Sequence, residues 1–373
     1  MKILIACGIF PPDIGGPATY VAGIASALAA SGHDMRVVTC GHDAPGSAEF
    51  PFPVRRISRT WPLPVRMFFF FVSCLRQPAD LIFAQDAFSS GFPAACAAFA
   101  KRVPLVTKVV GDFSWEHACR AYGARESVAE FQVAHHPLSV RIIRAVQRFV
   151  CGRSRIVIVP ARHLRFLPAA WGVPAADICV VRNAPYSFSG SAPLPRMPER
   201  DLVFAAGRLV PRKGFEALIR AARTASVRLA IAGDGPLRGD LERRAGDDAR
   251  SGKVVFLGAI GHARMAELHA RAGRFVSYSD HEGSPHAVLE AHAANVPLVL
   301  SDIPAHREFV GLGMPARLVR LDNEGDLRQA MTEPLPDLPA RAPSEIFSWE
   351  RMISELAAVL GRVAHRPPPD PDF

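Results

Sequence analysis

Residues 274–302 read RFVSYSDHEGSPHAVLEAHAANVPLVLSD. An apolar run typical of a strand (274–279) leads into a Gly-Ser-Pro turn, a helical pattern follows, and a second apolar run (297–302) closes the segment. Strands that alternate with helices in this way indicate a parallel sheet. We expect Ser284 to be the N-cap residue of the helix and Pro285 its first residue, because proline lacks the N–H that would be unbonded there.

Two carboxylates in this segment, Glu282 and Glu290, are separated by seven residues. The free N–H groups and the positive end of the helix dipole suit an anion beside Glu282. Glu290 lies further along the helix, where it can accept hydrogen bonds from hydroxyl groups. A phosphate flanked by sugar hydroxyls describes a nucleotide-sugar. The alternative is an accidental pair, since a glutamate inside a helix is usually solvated.

A basic turn follows the strand-like run LVFAAG (202–207) and contains Arg208 and Lys213. The end of a strand and the start of a helix is where an open parallel sheet holds its ligand. Arg208 offers a bidentate fork and Lys213 a mobile point charge, which together suit a diphosphate. We interpret Arg212, between them, as a surface residue.

A glycine pair near the N-terminus follows another buried-type strand (2–7). Gly15 and Gly16 precede Pro17 and an alanine-rich helix. Glycines at such a turn let the backbone approach a phosphate or a sugar closely. No G-x-G-x-x-G follows the strand, which disfavours a dinucleotide-dependent oxidoreductase.

These residues together resemble glycosyltransferase family 4, whose members are retaining enzymes of the GT-B fold. The resemblance extends over nearly the whole chain in the expected order. It is carried by FPPDIGGPATYVAGIASALAASGH (10–33), WGVPAADICVVRNA (171–184), GRLVPRKGFEALIRA (207–221), IAGDGPLRGDLE (231–242), SYSDHEGSPHAVLEAHAANVPLVLSDIPAHREFV (277–310) and FSWERMISELAAVL (347–360). The resemblance implies an α/β fold of two Rossmann-like domains, with parallel sheets facing across a central cleft and a last helix that crosses back to the first domain.

The resemblance also implies roles for individual residues. Glu290 accepts from the ribose hydroxyls, and Glu282 holds donor-sugar hydroxyls near the diphosphate. The expected catalytic set is Glu282, Arg208, Lys213 and Asp112. The expected donor site adds Gly15, Gly16, Gly233, Gly283, Ser284, Pro285, His286 and Glu290, of which Gly283 through His286 would present backbone N–H groups.

No cofactor is expected besides the nucleoside-diphosphate sugar, which is the donor substrate. The only D-x-D element, Asp370-Pro-Asp372, is in the C-terminal tail, so we expect no metal. Arg208, Lys213 and helix N-termini would then stabilise the negative charge on the leaving phosphate.

The sequence departs from the family in the first domain. Many members have a histidine after the fourth strand, where this chain has Val110. Asp112 is the nearest polar substitute and could contact the donor sugar or an acceptor hydroxyl. The equal alternative is that Asp112 is the N-cap of the following helix. Asp86 is a candidate for the acceptor cleft, and helix capping is again the alternative.

The organisation of the chain follows from two runs of alternating strands and helices. We expect an acceptor-binding domain (1–185), a Pro/Ser-rich linker (186–200), a nucleotide-sugar-binding domain (201–345), a returning helix (346–365) and a disordered tail (366–373). The strand-like runs of the first half are 2–7, 35–40, 81–85, 105–110, 155–159 and 178–182. Those of the second half are 202–207, 228–233, 253–258, 274–279, 297–302 and 316–321.

The composition fits a cytoplasmic enzyme. The seven cysteines are scattered and lack CxxC spacing, which argues against a disulfide framework and a zinc site. Met1 leads straight into a strand, so we expect no signal peptide. No apolar run approaches the roughly 20 residues that span a bilayer.

The charge is concentrated in one half of the chain. Residues 1–190 contain 20 Lys and Arg against 11 Asp and Glu, whereas residues 191–373 contain 24 of each class. An anionic acceptor or membrane surface is therefore a candidate partner of the first half. Nucleic acid is disfavoured, because no nucleic-acid-binding module is present.

Two stretches sharpen the membrane hypothesis. Basic residues and a tryptophan precede MFFFFV (67–72), and a second basic stretch, LSVRIIRAVQRFV, spans 138–150. In the second we expect the arginines on one helical face and the apolar residues on another. Each stretch can instead be an ordinary helix packed on the sheet. The residues concerned are Arg55, Arg56, Arg59, Trp61 and Arg66 in the first, and Arg141, Arg144 and Arg148 with Ile142, Val146 and Phe149 in the second.

The sequence thus predicts a retaining, metal-independent glycosyltransferase. It would move a sugar from a nucleotide donor to a glycan or lipid-linked acceptor in cell-envelope synthesis, with contact at the inner face of the membrane as an open question. Two alternatives are a catalytically degenerate nucleotide-sugar-binding protein and a GT-B nucleotide-sugar epimerase.

Overall fold

A computed structural model describes residues 1–13, 15–41, 50–185, 194–225, 227–333 and 345–364. The chain divides into two compact units. The first unit contains Met1–Arg182 and the segment from Glu350 onward, and the second contains Asn183–Trp349. Residues 186–193 of the predicted linker and the predicted tail, 366–373, lie outside the described residues.

The first unit is built on a seven-stranded sheet. Its strands are β1 (Lys2–Cys7), β2 (Asp34–Cys40), β3 (Val54–Ile57), β4 (Leu81–Ala84), β5 (Leu105–Lys108), β6 (Ile156–Val159) and β7 (Ile178–Val180). All pairs are parallel, in the order β3-β2-β1-β4-β5-β6-β7. The strands are nearly continuous apolar runs because both faces of a parallel sheet are covered.

One strand of this sheet was not predicted. β3 (VRRI) pairs with β2 at the sheet edge, and Ile57 is its only buried residue. Arg55 and Arg56 interrupt the apolar pattern, which hides an edge strand from a search for buried runs. The side chain of Arg56 makes a hydrogen bond inside the first unit, in which it donates to the carbonyl oxygen of Pro11 at 2.6 Å. Arg59 similarly pairs with Asp13, at 2.8 Å from Oδ1.

The helices of the first unit flank the sheet. They are α1 (Gly16–Ala30), α2 (Leu63–Arg76), α3 (Gly91–Lys101), α4 (Phe113–Tyr122), α5 (Val128–Val133), α6 (Leu138–Arg153) and α7 (Phe166–Ala170). In α2 the phenylalanine run is divided between two environments. Phe70 is 1% exposed and packs in the core, whereas Phe68 and Phe69 are 59% and 42% exposed. Phe70 therefore has the core position of one interpretation of 67–72, and membrane contact by the exposed phenylalanines remains a prediction.

The apolar residues singled out in α6 are not the ones that it buries most. Its buried residues are Val140, Ile143, Gln147, Val150 and Cys151. Ile142 and Phe149, which the alternative of an ordinary packed helix would bury, are exposed. α6 carries more apolar residues than one face can bury, and its contacts with neighbouring elements decide which of them are covered.

The second unit is built on a six-stranded parallel sheet. Its strands are β8 (Glu199–Ala206), β9 (Arg228–Ala232), β10 (Val254–Gly258), β11 (Ala272–Ser277), β12 (Leu298–Ser301) and β13 (Arg317–Val319), and each overlaps a predicted run. The spatial order is β10-β9-β8-β11-β12-β13. β8 includes Glu199 and Arg200, which the prediction placed in the linker. From β8 the chain adds β9 and β10 on one side of the sheet and then β11 to β13 on the other side, so the strand order reverses between β8 and β11.

Alternation along β8 builds a core on each face of this sheet. Val203 and Ala205 face one apolar cluster, and Leu202 and Phe204 face the other. Helices cover both faces, as in a Rossmann-like domain. They are α8 (Phe215–Thr224), α9 (Arg238–Ala245), α10 (Asp247–Arg250), α11 (His262–Arg271), α12 (His286–Ala293), α13 (Pro304–Gly311) and α14 (Glu324–Thr332).

The last helix, α15 (Trp349–Ala364), groups with the first unit from Glu350 onward. Its buried residues recur at helical spacing and form one apolar stripe: Met352, Leu356, Val359, Leu360 and Val363. The thiol of Cys179 on β7 has a raised pKa because it is partly buried. Two charged residues of α15 also change this pKa, since Arg362 lowers it and Glu355 raises it, which places α15 beside β7. Within the described residues, no helix combines the length and apolarity that crossing a bilayer requires.

Candidate active site

The predicted site residues of the second unit gather where its sheet reverses direction. Arg208 follows the carboxyl end of β8, and Glu282 follows that of β11, and these two strands are neighbours. In an open parallel sheet, the loops that leave two such strands diverge to opposite faces and leave a crevice that binds ligands. The topology therefore places the two predicted motifs beside the same crevice.

The turn after β8 is held in place by a glycine. Gly214 has φ +67°, and a Cβ built there would lie 2.1 Å from the carbonyl oxygen of Tyr278. Only glycine lets the turn pack this closely against the loop after β11. The backbone N–H of Asp280 also donates to the carbonyl oxygen of Arg212 at 3.0 Å. Gly214 was not singled out from the sequence, although it directly follows Lys213.

Lys213 and Glu282 form an ion pair. The carboxylate oxygen Oε1 of Glu282, which pairs with Lys213, also accepts from the Ser279 hydroxyl at 2.6 Å. The carboxylate is largely buried and the ammonium group partly exposed. Glu282 thus holds the Lys213 charge at the crevice, where its remaining N–H groups can meet an anion.

The two arginines of the turn differ in their partners. Arg212 donates to both carboxylate oxygens of Asp280 at 3.3 Å. Arg208 is exposed and forms no ion pair or side-chain hydrogen bond with any residue that the structure describes. A guanidinium group without a protein partner at the crevice is available to a ligand.

The start of α12 differs from the prediction. The expected cap at Ser284 is wrong: α12 begins at His286, Pro285 is its N-cap residue, and no side chain caps it. Pro285 has φ −71° and ψ 108°, an extended conformation that delays the helix by one residue. Ser284 Oγ is instead buried without a hydrogen-bond partner in the described part of the chain. The first N–H groups of a helix have no partners within it, so this end still suits an anion.

Glu290 lies in the next turn of α12. Burial raises the pKa of its carboxyl group to about 7. The carboxylate has no ion-pair or hydrogen-bond partner among the residues that the structure describes. An acceptor in this state gains strongly from a ligand hydroxyl, because water solvates it poorly.

Close backbone packing explains why residue 233, one of the predicted donor-site residues, is glycine. A Cβ on Gly233 would lie 1.9 Å from the carbonyl oxygen of Gly207, and the Gly233 N–H donates to Gly258 at 2.7 Å. Gly235 packs in the same way against Leu209. Gly233 therefore joins the loops after β8 and β9, and donor contact by Gly233 remains a prediction.

Asn183 is a residue that sequence reasoning missed. It is buried, and its side-chain amide lies 3.2 Å from Nε2 of His286. This contact orients a predicted donor-binding histidine at the start of α12. The segment around Asn183 contributed to the family resemblance, but its amide had no assigned role.

In the first unit, Gly15 is the N-cap residue of α1 and Gly16 its first residue. Gly15 has φ +149°, which favours glycine, and its carbonyl oxygen accepts from Thr19 N–H at 3.1 Å. α1 has no side-chain cap. The geometry is compatible with the predicted approach to a phosphate or sugar, which remains a prediction.

Comparison with known families agrees with this geometry. A model described as a glycosyl transferase 4-like domain matches residues 15–184, and one described as glycosyl transferases group 1 matches residues 191–341. The two matches follow one another along most of the chain.

The chain belongs to the group 1, family-4-like glycosyltransferases.

Individual relatives support the same assignment. An uncharacterised glycosyltransferase of Methanocaldococcus jannaschii is 25% identical over 337 residues, which cover 83% of each chain. A GDP-mannose-dependent α-(1-6)-phosphatidylinositol monomannoside mannosyltransferase of Mycobacterium tuberculosis is 29% identical over 170 residues, covering 42% of this chain and 43% of that protein.

The solved structure of HepE from Anabaena, in complex with UDP and glucose, matches with a TM-score of 0.72 and 18% identity. The match covers 97% of this chain and all of HepE. The fold is accordingly GT-B, as predicted, and the protein is a transferase.

In this glycosyltransferase, Asp112 has the capping role that was one of its two predicted alternatives. Its side chain is fully buried, and Oδ1 accepts from the backbone N–H groups of Ser114 and Trp115 at 2.8 and 3.2 Å. Oδ2 accepts from Gln132 at 2.8 Å. With both oxygens bonded and no exposed surface, Asp112 has no atom to offer a sugar in this conformation. Val110, at the usual histidine position, is exposed.

Asp86 also organises a helix start. Its carboxylate accepts from the backbone N–H of Phe88 at 2.7 Å and of Ser90 at 3.1 Å, just before α3. A Cβ on Gly8, after β1, would lie 4.0 Å from Asp86 Oδ2. Asp86 thus lies between the carboxyl ends of β1 and β4, where the first sheet reverses, and its contact with an acceptor remains a prediction.

Proposed function

We propose that this glycosyltransferase moves a sugar from a nucleoside-diphosphate donor to a glycan or lipid-linked acceptor at the inner face of the cell envelope. The observation that carries the proposal is the placement of Arg208 and the Lys213–Glu282 pair at the reversal point of the second sheet. The names of HepE's ligands and of the mycobacterial enzyme's donor and lipid acceptor support the substrate classes.

The proposed chemistry breaks the bond between the anomeric carbon and the diphosphate oxygen. Negative charge then develops on the β-phosphate, where Arg208 would donate two N–H groups and Lys213 a point charge. These cations would replace a metal ion. Removing one preorganised donor of this kind costs about 100–1000-fold in rate.

We propose retention of anomeric configuration by same-face attack. The acceptor hydroxyl oxygen bonds to the anomeric carbon on the face that the diphosphate leaves, and its proton passes to the departing phosphate oxygen. Glu282 would hold donor-sugar hydroxyls, and Glu290 the ribose hydroxyls. The backbone N–H groups of Gly283, Ser284 and His286 would contact the diphosphate.

The first test is thermal stabilisation by UDP, GDP, ADP and their sugar conjugates. We expect one base to raise the melting temperature of the wild-type protein, and Glu290→Gln to lose most of that shift. The matched control is Glu267→Gln, since Glu267 is exposed and pairs with Arg264 on α11. No shift with any nucleotide would contradict the proposal and favour the degenerate-binder alternative.

A further inference from the structure

We propose that a cationic cavity between α5 and α6 of the first unit is a binding site for a phosphate group. The cavity has a volume of about 640 Å³. Its lining includes His135, His136, Arg141, Arg144 and Arg148, and none of the described residues that line it is acidic. None of its lining residues belongs to the predicted donor site, and the proposal does not depend on the proposed function.

The three arginines of the cavity occupy one side of α6. Their spacing of three and four residues places them on successive turns of the same face. Arg141 and Arg148 are exposed, and Arg141 has no ion-pair partner in the described part of the chain. Arg148 makes a long contact of 3.5 Å with the carbonyl oxygen of Ala170. Asp112 attracts Arg144 electrostatically but does not line the cavity, and Arg144 and Arg148 repel each other. A bound anion would relieve that repulsion.

Arg144 is fixed at the inner end of the cavity. Its guanidinium donates to the carbonyl oxygens of Phe131 and Gln132 at 2.6 and 3.3 Å and lies over the Phe131 ring. Its Nε is buried without a hydrogen-bond partner among the described residues. The buried Nε is out of reach of a ligand, but the rigid guanidinium places a fixed positive charge beside the cavity, which favours a phosphate there.

The histidines and the helix start add donors to the same cavity. The His136 ring lies tilted against the Phe131 ring, with centroids 3.9 Å apart, and its Nε2 contacts the Phe131 carbonyl oxygen at 2.8 Å, which fixes the ring. α6 begins at Leu138 after Pro137, with no side-chain cap and no acidic residue in its first turn. A cation such as Arg141 in the first turn opposes the helix dipole, whereas an anion there is favoured. The arrangement suits a ligand of negative charge.

The rim of the cavity is apolar. Leu138 and Ile142 line it and are 68% and 55% exposed, and Val133, at the end of α5, is 85% exposed. Cations surrounded by exposed aliphatic side chains fit the boundary between phosphate headgroups and acyl chains. The phosphate can be carried by a lipid or by a soluble ester, and the two sources are distinguishable by experiment.

The test compares the wild-type protein with Arg141→Gln/Arg148→Gln, without nucleotide-sugar or acceptor. The matched control is Arg125→Gln/Arg243→Gln, which makes the same change in net charge at exposed positions that do not line the cavity. One arm measures co-sedimentation with phosphatidylcholine vesicles that contain or lack phosphatidylglycerol. The other titrates inorganic phosphate and glycerol 3-phosphate by calorimetry.

We expect the cavity variant to bind at least one phosphate source about tenfold more weakly than the wild type, and the control to bind normally. Loss confined to phosphatidylglycerol vesicles identifies a lipid headgroup, and loss confined to the soluble compounds identifies a free phosphate ester. Absence of wild-type binding in both arms, or equal weakening in the two variants, would overturn the proposal. Because no sugar transfer is measured, failure here leaves the donor-site account standing.

Discussion

At the scale of single residues, Glu290 differs most from an ordinary surface carboxylate. Burial raises its pKa to about 7 from an ordinary value of 4.5. Between these values the folded protein keeps a proton that the unfolded chain loses, so the free energy of unfolding falls as pH rises from about 4.5 to about 7. In Glu290→Gln this decline should be smaller by about 2–3 kcal/mol, measured by chemical denaturation at a series of pH values.

Nucleotide binding should depend on the same carboxyl group. A hydroxyl that donates to Glu290 favours its ionised form, so affinity for a nucleotide-sugar should weaken up to about tenfold from pH 8 to pH 6. The profile of Glu290→Gln should be flat, and that of Glu267→Gln should follow the wild type. An identical slope in wild type and Glu290→Gln would remove Glu290 from the ribose role.

Arg208 is predicted to act on the reaction and not on the fold. Arg208→Ala should lower turnover by about 100–1000-fold, because a preorganised donor to the leaving phosphate is lost. Its melting temperature should change little, since an exposed arginine without a partner adds little stability. The control, Arg243→Ala, should change neither quantity. A melting temperature that falls in proportion to activity would mean that Arg208 is structural.

The grouping of these residues could be predicted from the sequence, whereas their hydrogen bonds could not. Arg208, Lys213 and Glu282 lie beside one crevice, as the positions of their motifs after strands predicted, and their roles in the reaction remain predictions. The caps depend on backbone angles that the sequence does not specify. Ser284 is not a cap, whereas Asp112 caps α4, which was one of the two alternatives that the sequence left open. Gly214 and Asn183 escaped notice because their importance arises from contacts with distant segments.

At the scale of elements, the turn from β8 into α8 positions Lys213. Gly214→Ala should lower the free energy of unfolding by at least about 2 kcal/mol, because its Cβ would meet the Tyr278 carbonyl oxygen. Gly252→Ala is the matched control, since Gly252 has φ +77° and no neighbour within 4 Å. Chemical denaturation of both variants separates two costs: the strain of a positive φ, which both share, and the steric clash with Tyr278, which only Gly214→Ala has. Equal losses would show that the Tyr278 contact contributes nothing.

Helix α2 presents a divided aromatic face. We propose that its exposed half touches an anionic membrane, because Trp61, Phe68 and Phe69 are exposed and the first half of the chain carries the excess positive charge. Phe68→Ser/Phe69→Ser should weaken binding to phosphatidylglycerol vesicles about tenfold or more without lowering the melting temperature. Phe99→Ser, on α3, is the control for loss of an exposed phenylalanine. Unchanged vesicle binding in the double variant would rule out this surface.

The elements that the sequence predicted best are the buried strands. Twelve apolar runs correspond to twelve strands, since a parallel strand is covered on both faces. β3 was missed because Arg55 and Arg56 interrupt it at the sheet edge. The sequence could not show which apolar residues of α6 are buried, because they exceed one face and contacts with neighbouring elements decide which are covered.

At the scale of the whole molecule, the proposed chemistry relies on protein cations alone to stabilise the negative charge of the leaving group. Turnover should therefore be unchanged by EDTA, measured as nucleoside-diphosphate release with the identified donor. The control is a metal-dependent transferase inactivated under the same conditions. Activity that EDTA abolishes and Mg²⁺ restores would contradict the metal-independent account.

The most direct measurement is a crystal structure with the nucleoside diphosphate that gives the largest thermal shift. The account predicts the diphosphate within hydrogen-bond distance of Arg208, Lys213 and the N–H groups at the start of α12, and the ribose hydroxyls on Glu290. A nucleotide bound elsewhere, or one whose ribose does not touch Glu290, would contradict it.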